Sequence, residues 1–541
     1  MPISHKNEKS SRMPVLIGVT IPVFSCHLYK IKQNYPMRSM HKILFILSCI
    51  LFSYLVINFG GVFESDIRLV IIFSIPLSLF SAFTFRRFKS LLFINLLLVL
   101  SLFYQIIYLP QPLLKTLSPE AHAIYSSIIP LYADPSESFI LKKLALEENI
   151  EGYKLLVSQV YQDRGYNPLV IPEHTKSQPP AFLTQSSWRT TLTLTAMYII
   201  ALFTGISFTR SHRRSLEKVF VFFICVLSLV QIVIGYSSLF SNDPMHLGYS
   251  RRYMLTVFTG TYVNRNHIAS LLLMFALVLS GHLLSAFYKS IKNNHSKKIK
   301  NIILNIYHSR QWYFLLLFPL ICGITAAIFT TQSRMGVFSF LSALCAFLIL
   351  YFIMFSSNRK LYSAISVGVI IIIILFSFRI FIHDDDLADL VDRYEKIHMD
   401  NIRFTTYQNA LEILELFPVT GIGMGNTPLI LSAYIKGRSK SIQGKFGYWL
   451  AYLHNDILQF ILEGGIISLI IILVFFWDII KKLLLSLKQK RIKNLGYFCA
   501  LLGVIIHSTM DFSLHIPSNL FLFMMIYGFL SMESKSNTRP E

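Results

Sequence analysis

The chain has 541 residues, of which 54% are hydrophobic and 14% charged. About a quarter of an ordinary soluble domain is charged, so a soluble cytoplasmic enzyme is excluded. The formal charge of +22, from 50 Lys+Arg against 28 Asp+Glu, could suit nucleic acid, but most of the excess lies in short loops between apolar runs, the positive-inside pattern of a membrane protein.

Those apolar runs are roughly 17 to 22 residues long, enough for a helix to cross the roughly 30 Å hydrocarbon core. The sequence therefore predicts an all-α, polytopic integral membrane protein. Residues 1–42 read as a cytoplasmic N-terminal extension. Within them 13–29 is apolar, but Pro22 interrupts it, His27 lies in it, and counting it as a span would throw every later loop out of register. It has the length of a signal-peptide core without a small-residue cleavage site after it. Translation beginning at Met37 or Met40 would leave it out.

Spans follow at 43–60, 67–85, 91–109, 192–208, 219–236, 268–287, 313–329, 337–355, 361–382, 464–480, 495–510 and 517–532, about twelve transmembrane helices. With the N-terminus inside, the basic clusters at 86–89, 210–218, 289–310, 359–360 and 481–493 all face the cytoplasm, as does the tail 533–541 with Lys535 and Arg539. Cys49, Cys225, Cys322, Cys345 and Cys499 lie in apolar runs and Cys26 in the extension, so no pair reads as a disulfide or a CxxC site. The large extracytoplasmic loops are 110–191, 237–267 and 383–463, with shorter outer turns at 330–336 and 511–517. In the last large loop, Ile402, Tyr407, Ala410, Leu411, Leu414 and Phe417 recur at helical spacing, which predicts a helix within 392–417 lying on the membrane face.

The unusual polar residues all fall on the outer side. They are Asn264-Arg265-Asn266-His267, Ser333-Arg334-Met335-Gly336, Arg403 with the turn 418–426, His454-Asn455-Asp456, and Asp511 to His515. Acidic residues are nearly absent at mid-membrane depth, where ion-coupled transporters usually carry them. Outer arginines run against the positive-inside trend, yet Arg251, Arg252, Arg265, Arg334 and Arg403 are all there. A cluster of guanidinium groups suits a pyrophosphate or other acidic ligand, since the planar fork binds oxygens bidentately and stays charged.

Each residue also has a structural alternative. Arg265 and Arg334 adjoin span ends, where arginines snorkel to headgroups. Asn264 could cap a helix, and His267 could be an interfacial histidine. His454 precedes a span, where Asn455 and Asp456 could cap the helix and orient the ring, and a histidine so placed can take a proton from an attacking hydroxyl. Two further patterns are set aside. Gly421, Gly423 and Gly425 follow no strand and read as a turn rather than a phosphate loop. His383-Asp384-Asp385-Asp386 reads as a solvated loop start rather than a metal site for a nucleotide sugar, which would be cytoplasmic.

In order, the stretches 260–269, 331–336, 403–426, 454–464 and 507–517 resemble the O-antigen ligase and polymerase family of bacterial membrane glycosyltransferases. The resemblance implies transfer of a glycan from an undecaprenyl pyrophosphate carrier to an acceptor hydroxyl on the periplasmic face of the inner membrane, without metal, nucleotide or other cofactor. The acceptor would be a lipid A core sugar in a ligase, another carrier-linked glycan in a polymerase, or a protein in some relatives. By the same resemblance, Arg265, Arg334 and Arg403 would stabilise the pyrophosphate leaving group, and His454 would be the base. Asn264, Asn266, His267, Asn455 and Asp511 would contact sugars or orient the catalytic groups. The expected division is transmembrane helices over 43–236 and a ligase-like catalytic membrane domain over 237–532. A transporter for a lipid-linked or anionic solute is the reading from a different class.

Overall fold

The computed structural model describes residues 35–84, 104–107, 109–128, 177–178, 185–207, 213–240, 245–246, 249–250, 256–292, 316–355, 368, 402–428, 430–431 and 452–531. The chain divides into Met1–Ile43 and Leu44–Glu541. The helical bundle belongs to the second unit; of the first, the opening turns of α1 are described.

The fold is mostly helical. Its described helices are α1 (Tyr35–Ile57), α2 (Glu64–Thr84), the short α3 (Gln111–Leu117) and α4 (Pro119–Ile128), α5 (Gln185–Ser207), α6 (Arg213–Phe240), α7 (Arg265–Lys292), α8 (Leu317–Thr330), α9 (Arg334–Phe355), α10 (Ile402–Leu416), α11 (Asp456–Lys488), α12 (Ile492–His507) and α13 (Pro517–Ser531). Two-residue strands pair antiparallel at Leu109–Pro110 with Ser177–Gln178, and at Met245–His246 with Tyr249–Ser250. The expected spans 91–109 and 361–382 lie mostly or wholly outside the described residues. The other ten coincide with helices. Among the described residues five helices are long and apolar enough to cross a membrane, within α1, α6, α7, α9 and α11, and α8, α12 and α13 are shorter apolar helices.

α7 is the axis of the bundle. Its apolar stretch is buried throughout, and it packs against α6, α8, α9, α12 and α13. Between apolar helices in lipid the hydrophobic effect gives little preference for contact, so close approach of backbones must supply it. The α7–α12 seam shows how: a Cβ on Gly281 would lie 2.9 Å from Gly496 Cα, and one on Gly496 would lie 2.7 Å from the Leu277 carbonyl oxygen. The large exposed side chains sit on the peripheral helices, such as Phe222 and Val233 on α6, Ile349 and Phe352 on α9, and Leu473 and Trp477 on α11. Such a patterned apolar exterior is what a lipid-facing surface requires.

α11 departs from the expected span 464–480. It starts eight residues earlier, and the backbone breaks at Gly465, with φ 61° and ψ −151°. A straight helix of 33 residues would be about 50 Å long, well beyond a bilayer core of about 30 Å. The break separates a short arm that carries polar groups from a longer apolar arm. It is filled by the glycine-rich turn, where Ile422 N donates to Leu462 O (3.0 Å), Gly423 N to Glu463 O (2.9 Å) and Ile466 N to Pro418 O (3.0 Å). Gly421 has φ 66°, and a Cβ there would meet the Glu463 carbonyl carbon at 2.5 Å. The glycine run is thus a turn, and one built to lie against broken helix backbone.

α10 forms within the expected segment but begins at Ile402. Its buried stripe is Thr406, Ala410 and Ile413, followed by Phe417, whereas Leu411 is half exposed. It packs on α11.

Candidate functional site

Two helix starts meet first. α7 opens on Arg265 behind Asn264, whose Oδ1 accepts the Asn266 amide at 2.9 Å, an N-cap. α9 opens on Arg334 behind Ser333, whose Oγ accepts the Gly336 amide at 3.1 Å. The Ser333 hydroxyl also donates to Asn266 Oδ1 at 2.8 Å, which ties one cap to the other. Gly336 permits this closeness, since a Cβ there would stand 2.6 Å from Ala269 Cβ. Neither helix has an acidic residue in its first turn. A cation there opposes the helix dipole by about 0.3–1 kcal/mol, and Arg265 and Arg334, both half-buried, stand at these two starts.

The third helix start carries the histidine. His454 holds φ 56°, a left-handed conformation that costs a β-carbon residue on the order of 1–3 kcal/mol. Three contacts maintain it: Tyr407 of α10 donates to the His454 carbonyl at 2.9 Å, the Leu453 amide donates to Gln459 Oε1 at 3.1 Å, and Asn455 caps α11 by accepting the Leu458 amide at 3.0 Å. The ring nitrogen Nδ1 lies 3.2 Å from Asp511 Oδ1. With Asp511 ionised, Nδ1 carries the proton and Nε2 is left as the basic nitrogen, on a side chain about 31% exposed. Burial alone would push the Asp511 carboxyl up. The hydrogen bond from His454 and the fields of His267, His507 and His454 outweigh it and hold the carboxyl at about 2.

Phe512 joins these parts. Its ring meets those of His267 and His454 edgewise, both at 4.7 Å between centroids, and stacks on Tyr452 at 4.4 Å. Asn519, at the start of α13, donates to the His267 carbonyl at 3.0 Å. Among the described residues, His267 Nε2 and Asp511 Oδ2 are buried without a hydrogen-bond partner.

Next to this cluster a cavity of about 350 Å³ opens along α11. At one end it is lined by Arg189, Tyr452, Asp456, Glu463 and His515, and further along α11 by Ile471, Phe475 and Phe476 with Phe523 and Met524 of α13. Glu463 accepts from Thr427 Oγ1 (2.7 Å) and Gln459 Nε2 (3.0 Å). The Asp456 carboxylate accepts from Ser508 Oγ (2.7 Å) and faces His515 Nδ1 at 2.5 Å. Burial would lower the His515 imidazole, but its hydrogen bond to Asp456 and the fields of Asp456 and Glu463 raise it overall.

Asn264, Asn266, His267, His454, Asn455 and Asp511 are therefore linked into one cluster, and Arg265 and Arg334 stand at the helix starts that belong to it. Asn264 and Asn455 act there as helix caps, and the carboxylate that orients His454 is Asp511 rather than Asp456. Arg403 falls in the first turn of α10, four residues before Tyr407, and its side chain lies outside the described residues, as do Arg251 and Arg252. Sequence reasoning missed Arg189 and Tyr452, and it noted Tyr407 in the helical stripe of 392–417 and His515 among the outer polar residues without giving either a role. Arg189 was recoverable, being one more outer arginine just before an expected span. Tyr452 carries no pattern of its own.

Residues 315–473 match the family model described as O-antigen ligase. The matched stretch holds α8, α9, α10, His454 and the first half of α11, while the α7 start and the 508–517 segment lie outside it. No curated protein matches the chain. The motifs and this match agree, together with the apolar helices, on a membrane protein whose residues 315–473 are similar to the O-antigen ligase family.

Proposed function

We propose that the chain is a membrane glycosyltransferase that moves a glycan from undecaprenyl pyrophosphate to an acceptor hydroxyl on the periplasmic face of the inner membrane. The observation that carries this reading is the His454–Asp511 pair, 3.2 Å apart, set beside the joined starts of α7 and α9 with Arg265 and Arg334. His454 Nε2 takes the proton of the acceptor hydroxyl as its oxygen attacks the anomeric carbon, while the bond to the pyrophosphate oxygen breaks. Negative charge grows on that oxygen, and arginines at two helix N-termini stabilise it more in the transition state than in the ground state. Asp511 holds the proton-bearing face of the ring and stabilises the imidazolium that forms. Arg403, on the strength of the resemblance, joins the arginines, and Asn266 and His267 keep the α7 start in place. No residue of this scheme requires a metal or cofactor.

The acceptor we favour is a lipid A core sugar, which makes the chain O-antigen ligase-like. Polymerisation onto a second carrier-linked glycan, or transfer to protein, would use the same pair and differ only in what enters the site. The test is a gel of envelope lipopolysaccharide from a deletion strain, with the carrier-linked glycan pool extracted in parallel. Loss of the ladder with long chains accumulating on the carrier is expected. A core bearing a single repeat would make the chain a polymerase instead. Unchanged lipopolysaccharide with an unchanged carrier pool would overturn the glycan-transfer reading in favour of transport.

A further inference from the structure

Asp511 and Phe512, which contact the His454 ring, belong to one short segment. That segment is held by another residue of α11. Asp456 is buried. Its amide donates to the Ser508 carbonyl at 2.9 Å and to the Asp511 carbonyl at 3.3 Å. Its Oδ2 accepts from Ser508 Oγ at 2.7 Å and from the Leu514 amide at 2.8 Å, and its Oδ1 lies 2.5 Å from His515 Nδ1. These partners run from 508 to 515 and bracket Asp511 and Phe512.

The pairing is reciprocal. His454, on the approach to α11, reaches Asp511 of the segment, and His515 of the segment reaches Asp456 of α11. One such pair would leave a pivot; two, crossed, fix the segment in rotation as well as translation. Helix capping does not account for the Asp456 carboxylate, because Asn455 already caps α11.

We infer that Asp456 and His515 are positioning residues for the transfer reaction: they lock the 508–515 segment onto α11 so that Asp511 presents the His454 ring to the acceptor. This rests on the glycosyltransferase reading. A reacting group displaced by about 1 Å can lose about 10²-fold in rate, and that is the scale of effect this clamp would govern.

The experiment uses the full-length chain in detergent, with carrier-linked glycan extracted from a deletion strain as donor and the same strain's envelope acceptor fraction. Asp456→Asn keeps the shape of the side chain and removes its charge. It is expected to lower kcat about 10²-fold while the donor KM stays within about twofold. His515→Asn, whose amide can donate in place of Nδ1, should keep most of the activity that His515→Ala loses. In a His454→Ala background Asp456→Asn should cost nothing further, since it acts through that ring. Wild-type kcat in Asp456→Asn, or an equal fractional loss in both backgrounds, would overturn the inference. Should Asp456→Asn fail to fold, the two His515 variants decide it, and equal losses in both would count against it. A fully active His454→Ala would instead remove the ring through which the clamp acts and overturn the inference, whereas no transfer by the wild-type chain would bring down the glycosyltransferase reading itself.

Discussion

The α7–α12 seam and the cluster around His454 are built on opposite plans. At the seam, Gly281 and Gly496 bring two backbones into direct contact, with a buried side-chain hydrogen bond beside them between His282 Nε2 and the Tyr497 hydroxyl at 2.8 Å. At the cluster, side-chain hydrogen bonds between residues up to 67 positions apart join the start of α7 to that of α9 and the start of α11 to the 508–515 segment, and the Phe512 ring against His267 joins the two pairs. The seam depends first on small residues where the backbones touch. The cluster depends on individual side chains, and it spends stability on a left-handed His454. Separate consequences for folding and for chemistry follow from that contrast.

The largest effect belongs to the cluster. His454→Ala is expected to lower transfer by roughly 10²–10⁴-fold, the range of a general base, with protein level in the membrane unchanged. A glycan gel and an immunoblot of the same membranes check it. Normal glycan with normal protein level would remove His454 from the chemistry. Arg265 comes next: Arg265→Ala should cost roughly 10²–10³-fold, as loss of a transition-state donor does, and Arg265→Lys should recover only part of it, because a point charge does not replace the guanidinium fork. Full recovery by lysine would mean that charge alone matters there.

The same contrast explains what could be read from the sequence. Ten expected spans coincide with described helices because apolarity over 17 or more residues has one main solution in a bilayer. Arg265, Arg334, His454 and Asp511 stood out because polar residues at the outer ends of apolar runs are conspicuous. Their pairing did not. Asp456 adjoins Asn455 and lies nearer His454 in sequence than Asp511, yet Asp511 is the partner, and the Asp456 carboxylate is taken up by Ser508, Leu514 and His515. The break in α11 was hidden for a related reason: Gly464-Gly465 reads equally well as the start of a span, and only the turn at 418–423 reveals that the helix continues before it.

The seam should fail as a fold rather than as an enzyme. Gly496→Leu would push a side chain into the Leu277 carbonyl and Gly281 Cα, and overpacking of this kind costs about 1–3 kcal/mol. The expected result is a lower thermal midpoint in detergent and less protein in the membrane, with the activity of each surviving molecule near wild type. If activity per molecule collapsed while the midpoint held, the two regions would be coupled and the contrast between them would be lost.

The smallest effect is on pH dependence, and it probes the cluster as structure. The Asp511 carboxyl is held at about 2 against an ordinary 3.8, so the unfolded chain binds the proton more readily than the folded one. The resulting stabilisation, on the order of 2 kcal/mol, is complete above pH of about 4 and is lost as pH falls through about 2. His515 has the opposite sign. Its imidazole is raised from 6.5, so its contribution is complete below that value and fades as pH climbs through the folded-state value. Thermal unfolding of the detergent-solubilised chain should therefore show a plateau bounded on the acid side by Asp511 and on the alkaline side by His515. Asp511→Asn should lower the plateau and flatten only the acid limb, and His515→Asn should flatten only the alkaline one. An acid limb unchanged in Asp511→Asn would mean that the carboxylate is not the group His454 and its neighbours hold ionised, and would break the geometry on which the assignment of His454 as base depends.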